Sequence, residues 1–322
     1  MPRPIIIDTD PGIDDALAIM LAAASPEVEV IGITAVAGNV GLEKTAPNAA
    51  ALADLLRLEC PVGRGAAGPL WRRDTKPAWD VHGEDGFGGY ALPVSGRELE
   101  AALPLMARLI EESPEPVTVV AIGPLTNVAG LITHYPEAAR KVERFVIMGG
   151  GTLDRLGNMT PAAEFNIYYD PDAAAVLFDF AAQQAADGRA HAPVTMVGLN
   201  VTERALVGLQ HLPDLVASGG PAAKMITHMM GNYHSEPSAD GMAQHDSVAL
   251  AAVLDPAIIE TGHHHVDVEN TGRLTSGMTV VDFAGYSGLK PNCDVALAVD
   301  LPRFRDLLNT RLSALDARLK EA

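Results

Sequence analysis

Four aspartates fall within eight residues near the start of the chain, in Asp8-Thr9-Asp10-Pro11-Gly12-Ile13-Asp14-Asp15. Ile5-Ile6-Ile7 before them reads as a buried strand, and the apolar run after them as a helix. One such aspartate could cap the helix and complement its positive end. Capping does not account for four, because carboxylates this close repel and raise one another's pKa. A bound cation removes that repulsion. With no cysteine nearby and no HExxH pair, the donors favour a hard, oxygen-liking ion, Ca²⁺ or Mg²⁺.

Two general chemistries compete for this segment. A haloacid-dehalogenase-like phosphatase, a Mg²⁺ enzyme, also begins with a strand ending in Asp-x-Asp, which would make Asp8 the nucleophile and Asp10 the acid. Its motif continues to Thr or Val where this chain has Gly12. An EF-hand loop needs an oxygen ligand at that same position. Neither explains Asp14-Asp15.

The rest of the chain must position these acids. It has 322 residues, 48% of them hydrophobic, and a formal charge of −18. A surplus of acids argues against general nucleic-acid binding and against an anionic membrane surface. Cys60 and Cys293 are too few for a disulfide framework or a four-thiolate zinc site, and fit a reducing compartment. With no signal-type segment and no 18-residue apolar run, the reading is cytoplasmic.

Short apolar runs alternate with Ala/Leu-rich helical stretches. Strands are expected at Pro4–Asp8, Val28–Ala37, Val117–Ile122, Val142–Met148 and Pro193–Leu199, continuous enough to be buried on both faces. Helices are expected at Asp14–Ala24, Leu42–Leu58, Glu98–Glu112, Leu125–Thr133 and Asp172–Phe180. Later ones fit Pro221–Tyr233, Asp246–Leu254 and Pro302–Leu315. Such alternation predicts an α/β fold, a doubly wound and mostly parallel sheet flanked by helices, with ligands beyond the strands' carboxyl ends. No linker or repeat divides the chain, so one domain is expected over residues 1–322. The stretch Val266–Val299 reads differently, with β-structure around Gly272–Gly277 and Asn292–Val299. It would form a small antiparallel extension at one sheet edge. Long loops over Gly65–Ser95 and Ser235–Gln244 have the length of functional lids.

Asp8 to Ala16 resembles the signature of the inosine/uridine-preferring nucleoside hydrolases. Further segments match in order. They are Ala37-Gly38-Asn39-Val40, Ala121-Ile122-Gly123-Pro124-Leu125-Thr126-Asn127, Gly157-Asn158 with Ala163-Glu164-Phe165-Asn166-Ile167 and Asp170-Pro171, and His245-Asp246. The resemblance covers nearly the whole chain. It implies an N-ribohydrolase with Ca²⁺ at the pocket floor, held by Asp10, Asp15, Asp246 and the backbone carbonyl of Ile122. Ca²⁺ takes six to eight oxygens, so such a set leaves room for water and two ribose hydroxyls. Asp10 would also act as base toward a calcium-bound water below C1′, since calcium acidifies water far less than zinc does.

The resemblance further assigns Asp14, Asn39, Asn158, Glu164 and Asn166 to the ribose, and their carboxylates and amides suit polyol recognition. His245, beside the ligand Asp246, is the candidate proton donor to the departing base. Met148 is placed at the ribose floor, His82 near the base, and Tyr233 as a lid residue. Trp71 and Trp79 could stack on a base or anchor their loop. His263-His264-His265 reads as a strand start, and Asn158-Met159-Thr160 and Asn200-Val201-Thr202 are idle sequons in a cytoplasmic protein. Ser247 stands where family members often have proline. The substrate class is a small ribonucleoside, with homodimer or homotetramer as the family's usual assembly. A Mg²⁺ phosphatase and a non-catalytic nucleoside-binding protein are the alternatives. Base preference stays open.

Overall fold

The protein is described by a computed structural model over residues 2–73, 75–188, 193–233 and 240–321. In chain order the first strands are β1 (Arg3–Thr9), β2 (Val28–Ala35), β3 (Val62–Arg64), β4 (Glu100–Ala101), β5 (Thr118–Ala121), β6 (Arg144–Met148) and β7 (Val194–Val197). They are followed by β8 (Leu206–Val207), β9 (Met242–Ala243), β10 (Ile259–Glu269), β11 (Met278–Asp282) and β12 (Cys293–Val299). Ten of them form one sheet in the order β11-β10-β12-β7-β6-β5-β1-β2-β3-β4. Pairing is parallel from β12 to β4 and antiparallel at β12–β10 and β10–β11. β8 and β9 pair separately.

The longer helices are α1 (Ile13–Ala23), α2 (Leu42–Leu55), α3 (Ala102–Glu112), α4 (Thr126–His134), α5 (Pro171–Ala186), α6 (Pro221–Gly231), α7 (Asp246–Leu254) and α8 (Leu301–Lys320). They cover both faces. Ile5, Ile7, Val120, Val146 and Met148 pack toward α1, α2, α6, α7 and α8, whereas Ile6, Val119, Phe145 and Ile147 pack toward α3, α4 and α5. Two buried faces explain why the strand sequences are apolar without alternation. No helix among the described residues is long and apolar enough to cross a membrane.

The chain order reverses at β1, with β2 on one side and β5 on the other. Their carboxyl ends therefore diverge and open a crevice, the place where such sheets bind ligands. Helix α1, buried from Ile13 to Ala22, runs from that crevice between α6, α7 and α8. Arg318 of α8 donates to the Ala23 carbonyl at 2.8 Å, and Arg311 pairs with Glu27.

Element ends shift by a few residues from the sequence expectation, and some readings need correction. Glu100–Ala101 is an edge strand, so the helix expected from Glu98 begins at Ala102. Gly272–Gly277 is a turn, because the Glu269 carboxylate accepts from Thr271 N, Gly272 N and Thr275 Oγ1 and curls the chain. His263–His265 lie inside β10 rather than at its start. The first long loop carries one helical turn, Trp79–His82. Of the second, residues 235–239 lie outside the described residues.

Candidate active site

The acids sit where β1 gives way to α1. The Asp15 carboxylate accepts from Thr9 Oγ1 at 2.5 Å, Asp10 N at 3.2 Å, Gly12 N at 2.9 Å and Asn39 Nδ2 at 2.9 Å. It thereby caps its own helix and ties the β1 and β2 ends together. Asp10 Oδ2 accepts from Asn39 N at 2.7 Å, while buried Asp10 Oδ1 has no partner. Gly38 and Gly123 make this approach possible: a Cβ would lie 2.0 Å from Asp10 Oδ2 at Gly38 and 2.5 Å from Asp10 Oδ1 at Gly123. The orphaned Asp10 oxygen thus faces the chain just after Ile122.

Asp246 opens α7 and completes the cluster. Carboxylate oxygens of Asp14, Asp15 and Asp246 lie within 4.8 Å of one another, all buried, and Asp14 Oδ1 also lacks a partner. Burial first, and then Asp15, push Asp10 well above the carboxylate range; burial first, and then Asp14, do the same to Asp246. Burial likewise raises Asp14, and raises Asp15 to about 6 with help from Asp14. Buried oxygen donors with orphaned lone pairs and mutual repulsion fit a hard divalent cation. The cluster can hold a metal ion. Asp14, expected at the ribose, shares this group with Asp15 and Asp246, and Asp10 adjoins it through Asp15. The Ile122 carbonyl accepts from Asn166 Nδ2 at 3.1 Å.

Asn166 and Glu164 come from the helical turn Phe165–Tyr169. Glu164 caps it, accepting from Asn166 N at 2.9 Å and Ile167 N at 3.1 Å, and from Gly150 N at 2.9 Å across the cavity wall. Burial raises Glu164 to about 7 despite these bonds. Asn166 Nδ2 also reaches the Met148 carbonyl at 3.1 Å. Asn158 Oδ1 accepts from Phe165 N at 2.9 Å and holds the end of its loop.

A cavity of about 670 Å³ is lined by Asp14, Asn39, His82, Ile122, Met148, Asn158, Glu164, Asn166, Tyr233, His245 and Asp246. Asp10 and Asp15 lie behind this wall, linked to it through Asn39. His82 Nδ1 accepts from Ile13 N at 3.1 Å, and its ring meets Tyr233 edge-on at 6.4 Å. Burial lowers His82 to about 4, so the ring is neutral. His245 Nδ1 bonds Thr202 Oγ1 at 2.9 Å, leaving Nε2 as its other polar atom.

Several residues singled out in the sequence do not join the site. Trp71 and Trp79 are exposed and do not line the cavity. Asp8, the nucleophile of the phosphatase alternative, is buried and bonded to Thr34 and to Asn127. It faces the α4 side of the sheet, so that alternative has no accessible nucleophile. His263 pairs with Asp294 at 2.9 Å, and among the described residues no metal group forms there. Conversely, Arg155, Glu203, Leu206 and Phe165 line the cavity, and Thr202 orients His245. Thr202 had drawn notice only through its sequon. Phe165 lies within the Ala163–Ile167 segment already noted, and nothing in the local sequence marks Arg155, Glu203 and Leu206 as a group.

The family model for "inosine-uridine preferring nucleoside hydrolase" matches residues 5–306. The chain is 43% identical to the pyrimidine-specific ribonucleoside hydrolase RihA of Citrobacter koseri over 321 residues, covering 97% of this chain and 99% of that one. It is equally similar, over 320 residues, to the protein of the same name from Salmonella typhimurium. Among solved structures it superposes on a purine-preferring ribonucleoside hydrolase from Gardnerella vaginalis with a TM-score of 0.88 and 32% identity, covering 99% and 100% of the two chains. An inosine-guanosine nucleoside hydrolase gives 0.86 at 32% identity, covering 96% of this chain and 98% of that one.

Proposed function

Because the chain belongs to the inosine-uridine preferring nucleoside hydrolase family, and so hydrolyses ribonucleosides to ribose and a free base, we propose that it does so with Ca²⁺ held by Asp10, Asp15, Asp246 and the Ile122 carbonyl. The unpartnered oxygens of Asp14, on the cavity wall, and of Asp10, behind it, carry this reading. When bound, the ion supplies positive charge that gathers oxygen ligands and returns the acids to their ionised forms.

The protein's own groups then divide the work. Asp10, ionised, takes a proton from the attacking water as it adds to C1′. The C1′–N bond breaks, and its electron pair leaves with the base. Asp14 and Glu164 lie along the sugar and offset the positive charge that develops on the ribosyl ring. Asn39, Asn158 and Asn166, fixed by their backbone bonds, orient the hydroxyls, and Met148 closes the floor. His245 donates a proton to the departing base, with Thr202 holding its ring. His82 and Tyr233 border the base.

The 43% identity to proteins named pyrimidine-specific favours uridine and cytidine over inosine. We read the chain as one domain over residues 1–322, cytoplasmic, and a homodimer or homotetramer. A panel of uridine, cytidine, inosine, adenosine and guanosine, assayed for reducing sugar with Ca²⁺ and with EDTA, tests the reading. Calcium-dependent release of ribose, greatest with the pyrimidines, is expected. Tight nucleoside binding with no ribose released would refute it.

A further inference from the structure

Resting on that hydrolase reading, we propose that Arg155, held by Glu203, is the residue that selects pyrimidine over purine ribonucleosides. Arg155 Nε pairs with Glu203 at 3.0 Å, and both line the cavity. Glu203 directly follows Thr202, which grips His245. The pair therefore sits on the leaving-group side. Among the described residues lining the cavity, Arg155 is the one arginine or lysine.

The loop that presents it is built for the task. Arg155 N donates to the Thr152 carbonyl at 3.1 Å, closing a turn in which Leu153 adopts φ 58. That left-handed conformation is unfavourable for a branched side chain and marks a turn set by its surroundings. Thr279 brackets Gly151 just before the turn, at 3.0 Å to its nitrogen and 2.7 Å to its oxygen. Asp154 pairs with Arg204 at 2.8 Å. Acid-base at 154–155 thus faces acid-base at 203–204, and two crossed ion pairs fix the arginine over the cavity.

The chemistry of the base supplies the selectivity. A pyrimidine leaving through N1 carries a carbonyl on the adjacent carbon, and the departing electron pair spreads onto that oxygen. A purine leaving through N9 offers ring nitrogen N3 at the corresponding place, but its departing pair is shared mainly within the five-membered ring, so an N–H donor there gains less. With Nε engaged by Glu203, the guanidinium keeps its terminal N–H groups for that oxygen.

The test uses Arg155→Met, which keeps the stem and removes the donors, with Glu203→Gln as the milder variant. Uridine, inosine and p-nitrophenyl riboside are compared by kcat/KM with Ca²⁺ present. Arg155→Met should lower uridine cleavage by roughly tenfold to a hundredfold, as for loss of one charged hydrogen bond. Inosine and p-nitrophenyl riboside should change by less than about threefold, and Glu203→Gln should move the uridine-to-inosine ratio the same way. Tm should hold, because exposed ion pairs contribute little. An unchanged uridine-to-inosine ratio, with wild-type protein active on uridine, overturns this assignment alone. Wild-type protein inactive on every nucleoside would take down the hydrolase reading and this proposal together.

Discussion

His245→Ala gives the sharpest view of how the leaving group departs. In the structure His245 is half-buried, lines the cavity, and spends Nδ1 on Thr202 Oγ1 at 2.9 Å. Its remaining nitrogen is the one available to the base. Loss of a positioned acid costs about 10²–10⁴ in rate, or roughly 3–5 kcal/mol of barrier. The structural loss is smaller: one hydrogen bond, about 0.5–1.5 kcal/mol, with Asp246 still in place. Uracil departs poorly as an anion, whereas p-nitrophenolate departs well unaided. The variant should therefore lose about 10²-fold or more on uridine and nearly nothing on p-nitrophenyl riboside, with calcium affinity unchanged. Thr202→Val removes the partner that fixes the ring, and should cost about tenfold on uridine alone. Equal losses on both substrates would show a damaged pocket and remove His245 from the acid's role, leaving His82 and Tyr233 as the next groups to test.

Three further outcomes follow from the same geometry. If the ribose hydroxyls meet the orphaned oxygens over the acidic cluster, deoxyuridine should be cleaved about 10⁴-fold less efficiently than uridine; comparable kcat/KM values would contradict this placement. Gly38→Ala puts a methyl 2.0 Å from Asp10 Oδ2 and 2.8 Å from Pro124 Cδ. It should cost about 1–3 kcal/mol in denaturant unfolding and weaken calcium binding by titration, and wild-type affinity would count against the cradle. Burial raises Asp8 from 3.8 and Glu164 from 4.5, each to about 7, and Asp15 from 3.8 to about 6. Their stabilising contribution is present below the unfolded values and is lost as pH rises through 6 to 7. His82, lowered from 6.5 to about 4, works oppositely, losing stability as pH falls through that window. Three carboxylates outweigh one histidine, so Tm in EDTA should fall between pH 5 and 8, with Ca²⁺ flattening the slope. A Tm that climbs with pH in EDTA would overturn the account.

What could be read from the sequence follows from how local each signal is. β1 and the buried helix α1 were legible because unbroken apolar runs flank a tight polar turn. The acids were legible because four charges side by side are intolerable without a partner. The segments that resemble the nucleoside hydrolases, not any local period, pointed to Ile122, Glu164, Asn166, His245 and Asp246, all of which line the cavity. Illegible were contacts made only by folding. Arg155 and Glu203 stand far apart in sequence and meet because β6 and β7 are neighbours. β3 and β4, with three and two residues, are too short to show a period. β-structure was expected around Gly272–Gly277, but the Glu269 carboxylate, outside that stretch, decides its local structure as a turn. Trp71 and Trp79 drew attention by residue type alone, and the fold leaves them in solvent.

The packing of α1 also fixes when during synthesis the site can exist. Helix α1, bearing Asp14 and Asp15, is made well before α6, α7 and α8. Besides β2, it packs chiefly on α7 and α8 and also on α6, and α8 runs from Leu301 to Lys320. Asp246 arrives late as well. Until then the nascent chain carries an apolar helix only partly covered, and Asp14 and Asp15 lack the Asp246 that completes their cluster. Closing contacts so distant in sequence is slow and exposes apolar surface meanwhile. The acidic cluster is thus a late product of biogenesis, and a metal ion held there can favour folding only once Asp246 and the helices around α1 have been made.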